Sequence, residues 1–314
     1  MKLGLQIPYY TYPGEGNRIA NTFARIVQEA EAAGFYSVWV MDHFFQIESV
    51  GPKELEMLEA YSTLTYAAAL TSRVKLGTLV TGVTYRYPAI LLKTATTLDV
   101  LSNGRSYFGI GAAWNEVEHE GLGIPFPPLV ERFGILEEIL QLAHRMWSGV
   151  SEPFKREHLH LTETLNSPNA LQQPHPPIMI GGGGEQKTFR LIAKYGDACN
   201  IYARYGMDYV RSKYAVLRER CEEADRPYND IEKTTLSTLL VTPEGKPPVE
   251  SLDILPAAVL MTPAGAIEYF HQLAEAGTDH AIFNTPVAHL PGALDVWAAT
   301  IIPAVEKFMP PRRL

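Results

Sequence analysis

Residues 176–202, PPIMIGGGGEQKTFRLIAKYGDACNIY, contain one complete strand–helix–strand unit. A short apolar run ends at Ile180, four glycines follow it, and apolar residues at helical spacing then lead to Tyr195. The segment KYGD at 194–197 places a glycine where a helix should end, directly before the next apolar run at Ala198. Because this alternation is typical of parallel sheets, the stretch predicts a βαβ unit.

The same alternation repeats along the whole chain of 314 residues. Strand-like runs start at Lys2, Ser37, Val74, Ser106, Pro177, Ala198, Thr234 and His280. Helical spacing covers residues 17–33, 58–71, 89–101, 129–147, 186–195, 209–224, 263–276 and 293–307. Eight strands alternating with eight helices predict an α/β fold, a (β/α)8 TIM barrel that occupies residues 1–314 as a single domain.

A doubly wound open sheet is the alternative fold. It is less favoured because no linker divides the chain and because LQIPYYTYPGEG, after the first strand, lacks GxGxxG. The barrel would carry two insertions, residues 148–176 before the fifth strand and residues 243–262 after the seventh. Long excursions of this kind often serve as lids or dimer elements.

The composition argues against several classes of protein. A net charge of −8 does not suit a general nucleic-acid binder, which needs a basic surface. The sequence has no apolar run of about 18 residues for a membrane span, and Pro8 interrupts the N-terminal apolar segment early. Cys199 and Cys221 lack CxxC spacing, and His158 and His160 have no third ligand in sequence, so we predict no metal site. We expect a cytoplasmic protein.

The active site of such a barrel lies at the carboxyl ends of its strands. The second strand runs into Asp42 and His43, and a histidine there can transfer a proton near neutral pH, although it can equally be satisfied by a backbone carbonyl. The fourth strand leads into Trp114 and Asn115, an aromatic and an amide that suit ligand contact. The charges at 116–120 are typical of a solvated helix start.

The four glycines fit neither of two common phosphate-binding motifs. Counting from Gly181 places Gln186 where both GxGxxG and GxxxxGK[ST] require glycine. Glycines still let the backbone approach a ligand closely, and a helix starting near Glu185 directs its free N–H groups toward the cavity. The run Gly181, Gly182, Gly183 and Gly184 therefore predicts a cradle for one phosphate. The alternative is a flexible turn between strand and helix.

Three segments resemble the bacterial luciferase-like superfamily, and more closely its F420-dependent oxidoreductase branch. They are GFYSVWVMDHFF at 34–45, the stretch from Leu76 to Phe133, and PPIMIGGGGEQKT at 176–188. The resemblance runs in order from the first strand to about Glu232. The same barrel also serves FMN-dependent monooxygenases, so the motifs identify the superfamily more specifically than the cofactor.

The resemblance implies a flavin or deazaflavin lying across the strand ends. Its phosphate would lie near Gly181–Gly184, Cys199 and Asn200. The third strand would carry a bulge, commonly with a non-proline cis peptide, that supports one face of the ring. In this sequence the residues at the bulge, and those expected to contact the cofactor after the fourth strand, are Leu79, Val80, Thr81, Gly82, Gly111, Ala112 and Asn115.

In F420-linked sugar-phosphate dehydrogenases of the superfamily, a histidine after the second strand works with a tryptophan and a glutamate. His43 matches the histidine, whereas Ile47 stands at the tryptophan position and Trp114 stands near the glutamate position. Glu116, two residues further on, is a candidate substitute. These departures argue against sugar-phosphate oxidation. We predict His43, Asp42 and Glu116 as catalytic residues, with Asp42 orienting His43.

The sequence thus predicts an oxidoreductase that moves a hydride between coenzyme F420 and an unidentified small organic substrate. An FMN-dependent monooxygenase and a non-catalytic flavin-binding protein are the alternatives. Lys155 and Arg156 in the insertion, with Arg204 after the sixth strand, are candidates to meet the acidic tail of F420. The resemblance also suggests a homodimer.

Overall fold

The computed structural model describes residues 1–12, 18–246 and 258–310. Within these ranges, eight parallel strands close into a barrel, because the last strand pairs with both the seventh and the first. The strands are β1 (Lys2–Ile7), β2 (Ser37–Val40), β3 (Lys75–Thr78), β4 (Ser106–Gly111), β5 (Ile178–Gly181), β6 (Ala198–Tyr202), β7 (Glu232–Val241) and β8 (His280–Asn284). The predicted (β/α)8 barrel is confirmed.

Helices cover the outside of the barrel. They are α1 (Ile19–Ala33), α2 (Ala60–Leu70), α3 (Pro88–Leu101), α4 (Glu116–Leu122), α5 (Leu129–Trp147), α6 (Thr188–Tyr195), α7 (Met207–Glu223), α8 (Pro263–Glu275) and α9 (Ile302–Val305). The expected helix over 293–307 is shorter and consists of a π-helical turn, Trp297–Ile301, followed by α9. The predicted helix start at residue 17 lies outside the described residues.

The inside of the barrel is filled by an apolar cluster of Trp39, Leu79, Tyr107, Met179, Ala198 and Ile282. Trp39 explains the glycine at position 77, since a Cβ atom there would lie 2.4 Å from the indole ring. Because this cluster closes the barrel below the carboxyl ends of the strands, a ligand has to bind above it. The cluster therefore forms the base on which the candidate site is built.

The third strand is interrupted where the resemblance implied a bulge. The peptide bond between Leu79 and Val80 is cis. The chain then resumes pairing with β4 through a two-residue strand, Thr81–Gly82. This geometry brings the Val80 side chain to the mouth of the barrel, where it lines a cavity.

The first insertion does not cover that mouth. Near its end, the backbone N–H groups of Leu171 and Gln172 donate to Asp99 in the last turn of α3, at the amino end of the barrel. None of residues 148–176 is among the residues that line the cavity there. Of the second insertion, Val259–Met261 extends the sheet beside β7, and residues 247–257 lie outside the described residues.

Candidate active site

A cavity of about 580 Å³ lies at the carboxyl ends of the barrel strands. Its size suits a cofactor or small-molecule site. A larger depression, about 1400 Å³, lies at the opposite end beside Lys2 and Glu232. Barrels of this architecture place their chemistry at the carboxyl ends of the strands, so we assign the smaller cavity as the candidate site.

The wall under the cavity is shaped by Val80 and by glycines that make room for it. A Cβ atom on Gly181 would lie 2.8 Å from Val80, and one on Gly111 would lie 3.0 Å from it. Leu79, Gly82 and Ala112 also line the cavity, together with Thr81. The Thr81 hydroxyl is already engaged by Tyr61 and Thr78, at 3.0 Å each, so its side chain supports the wall.

His43 lines the cavity and is held by a carboxylate that sequence reasoning did not select. Its Nδ1 lies 2.6 Å from Oε2 of Glu118, a residue with no exposed surface. The same carboxylate accepts hydrogen bonds from the backbone N–H groups of Phe44 and Phe45, from the Tyr85 hydroxyl at 2.8 Å and from the Asn115 amide at 2.8 Å. Five donors thus converge on Glu118.

This convergence fixes the protonation of both partners. Burial alone would raise the pKa of Glu118, but the hydrogen bonds from His43 and from the backbone of Phe45 and Phe44 lower it to about 2. An ionised carboxylate can only accept hydrogen bonds, so Nδ1 of His43 carries a proton. Nε2 of His43 makes no hydrogen bond with any described residue and is available to a ligand in the cavity.

Glu118 reaches His43 because α4 is fixed from two directions. His119 contacts the Thr84 hydroxyl with Nε2 and the Asn115 carbonyl with Nδ1, both at 2.6 Å, and stacks on Tyr85. Arg132 of α5 donates to the carbonyl oxygens of Ala112 and Ala113 just before the helix. The sequence prediction of a solvated helix start holds for Glu116 and Glu120 but is wrong for Glu118 and His119, which are fully buried.

Asp42 does not orient His43 as we expected. Its carboxylate forms two bonds with the Arg86 guanidinium, at 2.7 and 2.9 Å, and Arg86 also contacts Glu59. Glu116, the other predicted catalytic carboxylate, is exposed and has no hydrogen bond to His43. The carboxylate that contacts His43 is therefore that of Glu118, and neither Asp42 nor Glu116 makes this contact.

The glycine run forms a turn with free backbone donors. Gly182 has a φ of +119°, which favours glycine, and its N–H donates to the Asn200 carbonyl. The N–H groups of Gly183, Gly184 and Glu185 donate to no described residue. Helix α6 begins at Thr188 and not near Glu185 as expected, and Thr188 lines the cavity beside Gly184. The turn presents the donor groups that a phosphate requires.

Neighbouring residues of β6 face opposite sides of the sheet. Asn200 lines the cavity, and its amide donates to the Thr234 hydroxyl at 2.8 Å. Cys199 points into the core beneath the helices and is fully buried, so its side chain is not available to a cofactor. We expected Cys199 near the phosphate together with Asn200, but its side chain faces away from the cavity, because strand residues alternate in direction.

The three cations expected near an acidic tail are separated in space. Arg204 lines the cavity and lies over the rings of Tyr202 and Tyr205. Arg156 instead donates to Gln141 of α5. Lys155 lies in the antiparallel pair formed by Phe154–Lys155 and His160–Leu161, outside the cavity lining. Of the predicted cluster, only Arg204 is placed at the site.

Comparison with known proteins identifies the family of the chain. The model of the luciferase-like monooxygenase family matches residues 1–283. The chain belongs to that family. The luciferase-like chain is 33% identical over 213 residues to F420-dependent glucose-6-phosphate dehydrogenase of Kineococcus radiotolerans, an alignment that covers 66% of the chain and 60% of that protein. The chain thus spans about 60% of the length of the first curated relatives that it matches.

Solved structures share the luciferase-like barrel at lower identity. An F420-dependent secondary alcohol dehydrogenase in complex with an F420-acetone adduct superposes with a TM-score of 0.81 at 21% identity, over 97% of this chain and 98% of the other. A monooxygenase from Streptomyces bottropensis superposes with a TM-score of 0.80 at 17% identity, over 96% and 99% of the two chains. At these identities the similarity establishes the fold alone.

Two further properties of the luciferase-like chain concern the described residues only. No helix in these ranges is long and apolar enough to cross a bilayer. No group of three or more His, Cys, Asp or Glu side chains in the same ranges is arranged to hold a metal ion.

Sequence reasoning missed several residues of the site. The sequence carried no local signal for Glu118, because the face of α4 that meets the loop after β2 is set by Thr84 and Arg132. Gln6 and Asn284 also line the cavity, and their positions at the carboxyl ends of β1 and β8 were the available signal.

Proposed function

We propose that this protein is an oxidoreductase that transfers a hydride between coenzyme F420 and a small organic substrate, with His43 as the proton-handling residue. The observation that carries the proposal is the pairing of His43 with Glu118, which leaves Nε2 free in the cavity. A histidine held in this way suits proton transfer to or from an oxygen atom.

The residues around the cavity fit a cofactor with one phosphate and a flat ring. The free N–H groups of Gly183 and Gly184, with the Thr188 hydroxyl, would hold the phosphate. Side chains at positions 181 and 111 would collide with Val80, so glycine keeps this part of the wall open. Leu79, Val80 and Gly82 would support the ring. When bound, F420 supplies a carbon centre that carries two electrons as a hydride.

His43 supplies or removes the proton that accompanies the hydride. When Nε2 is protonated, it donates a proton to a carbonyl oxygen that is being reduced. When Nε2 is unprotonated, it accepts the proton of an alcohol that is being oxidised. In both directions Glu118 keeps Nδ1 protonated and stabilises the imidazolium. Asp42, bound by Arg86, maintains the end of β2 from which His43 projects.

The substrate side of the cavity favours a neutral organic molecule. Ile47, Val50 and Trp114 line the cavity together with His43, and the Trp114 ring lies 5.4 Å from the imidazole. Within the described lining, Arg204 is the sole arginine or lysine. It lies at the end of β6, across the barrel from β2. A sugar phosphate would need cations near its own phosphate, so this lining supports a small alcohol or carbonyl compound instead.

An FMN-dependent monooxygenase remains the second candidate, because the family includes such enzymes and a phosphate cradle suits FMN as well. Equilibrium binding of F420 and of FMN to the purified protein separates the candidates. Preference for F420 is the expected result, and binding of FMN alone would overturn the proposal. Binding of a flavin without any turnover would favour a non-catalytic flavin-binding protein.

We further propose that the chain acts as one barrel domain, in a homodimer, in the cytoplasm. The support is the family membership and a barrel that runs from β1 to β8. Light scattering coupled to gel filtration measures the molar mass, and a monomer would contradict the homodimer.

A further inference from the structure

A row of polar side chains lies on the floor of the cavity, on three neighbouring strands of the barrel. It consists of Gln6 on β1, Asn284 on β8 and Thr238 on β7, and all three residues line the cavity. Thr238 is the pairing partner of Asn284 across the sheet. The Asn284 amide donates to Oε1 of Gln6 at 2.8 Å. We call these three residues the floor row.

The floor row lies one layer above the apolar interior. Ile282, two residues before Asn284 on the same strand, belongs to the cluster that fills the barrel. Because strand residues alternate in direction, Asn284 points inward as Ile282 does, but one step closer to the mouth. The floor row is thus the first polar layer that a ligand entering the cavity meets on this side.

Asn284 has an unused hydrogen-bonding atom at this place. Its side chain is 5% exposed, and its Oδ1 is buried without a hydrogen-bond partner. Buried polar atoms in folded proteins are nearly always paired, so an unpaired one beside a cavity points to a missing partner. Nδ2 of Asn284 is the donor in the bond to Gln6, so the atom that is left unpaired is the acceptor Oδ1.

We propose that the floor row recognises a ligand group that can donate a hydrogen bond, either an imide N–H or a hydroxyl. Oδ1 of Asn284 accepts that hydrogen bond, and Gln6 fixes the orientation of the Asn284 side chain. The inference rests on the proposed function only in taking this cavity as the ligand site. Two sources supply such a group: the imide edge of a flavin-type ring, and the hydroxyl of an alcohol substrate.

The test replaces Asn284 by Leu, which keeps the size of the side chain and removes the acceptor. Asn166→Leu is the matched control, because Asn166 is also a buried amide with an unpaired Oδ1 and lies outside the cavity lining, against Thr96 and Asn169. The dissociation constants of F420, of FMN and of cyclohexanol are measured for both variants and for the parent protein. Thermal unfolding confirms that each variant is folded.

A loss of at least about tenfold in F420 and FMN affinity for Asn284→Leu alone assigns the imide edge as the partner. A loss confined to cyclohexanol, measured with cofactor present, assigns the substrate hydroxyl. Asn284→Asp, which restores the acceptor, should recover part of the affinity. If Asn284→Leu binds all three probes as tightly as the parent protein does, the inference is wrong. The proposed function still stands in that case, provided that the parent protein binds F420.

Discussion

The imidazole of His43 and the carboxylate of Glu118 are 75 residues apart in the sequence and share a hydrogen bond of 2.6 Å. Glu118 accepts four further hydrogen bonds and is ionised, so the bond assigns the proton to Nδ1 and leaves Nε2 for the ligand. The pair joins the loop after β2 to helix α4. The chemistry proposed for this protein depends on that connection.

Replacing His43 by Ala should lower turnover much more than cofactor affinity. General acid–base catalysis contributes about 10²- to 10⁴-fold, so we expect kcat to fall within that range while the F420 dissociation constant changes by less than about threefold. Steady-state kinetics and equilibrium titration measure the two quantities. An equal loss in both would remove His43 as the proton-handling residue.

Glu118 and Glu116 lie two residues apart in α4, and replacing each in turn tests which of them supports His43. Glu118→Gln removes the carboxylate that holds Nδ1 of His43, so kcat/KM should fall by about tenfold or more. Glu116→Gln changes an exposed side chain and should alter kcat/KM by less than about twofold. The reverse order of effects would restore the sequence-based choice of Glu116.

The low pKa of Glu118 predicts a specific loss of stability in acid. Its pKa falls from 4.5 in the unfolded reference to about 2 in the folded protein, so ionised Glu118 stabilises the fold above about pH 4.5 and ceases to do so as the pH falls toward 2. The shift corresponds to about 3 kcal/mol, of which about 2 should be lost by about pH 3.

Urea unfolding of the parent and of Glu118→Gln measures this contribution. The difference in unfolding free energy between the two proteins should be largest near about pH 6 and should shrink on acidification. A difference that stays constant between about pH 6 and pH 3 would contradict the assigned ionisation.

The role of the glycine turn in binding phosphate can be tested by comparing Gly182 with Gly149, a glycine outside the cavity that also has a positive φ. Gly182 has a φ of +119° and lines the cavity. Gly149 has a φ of +81° and lies just after α5, where an added Cβ atom would meet no other atom within 4 Å. Alanine at either position should cost about 1–2 kcal/mol of stability.

Only Gly182→Ala should weaken F420 binding, by about tenfold, because it displaces the free N–H groups of Gly183 and Gly184. Isothermal titration with F420 measures the affinity, and thermal unfolding measures the stability. Unchanged F420 affinity in Gly182→Ala would support the alternative in which the glycines are only a flexible turn.

The fold was predictable because its signals are local and repeat along the chain. Apolar runs such as Ile178–Ile180 and helix-ending glycines such as Gly34 recur from one βα unit to the next, and the structure has strands and helices there. Position after a strand also located His43 and three of the four glycines, Gly181, Gly182 and Gly184, at the cavity.

The rest depended on contacts between distant segments. The choice between Glu116 and Glu118 follows from how α4 is fixed by Thr84 and Arg132, which lie elsewhere in the sequence. The bond from Arg156 to Gln141 joins two elements, and no local pattern in the sequence indicates it. Cys199 is a different case, since the alternation of β6 could have shown that Asn200 faces inward and Cys199 does not.

Hydride transfer between F420 and an organic substrate is detected most directly by following an isotope label. The protein is incubated without oxygen with oxidised F420 and a panel of primary and secondary alcohols deuterated at the carbinol carbon, and the cofactor is analysed by mass spectrometry. We predict that deuterium appears in the reduced F420 with at least one alcohol and that His43→Ala greatly slows its appearance. Bound F420 that acquires no deuterium from any alcohol, together with oxygen consumption supported by reduced FMN, would contradict the account.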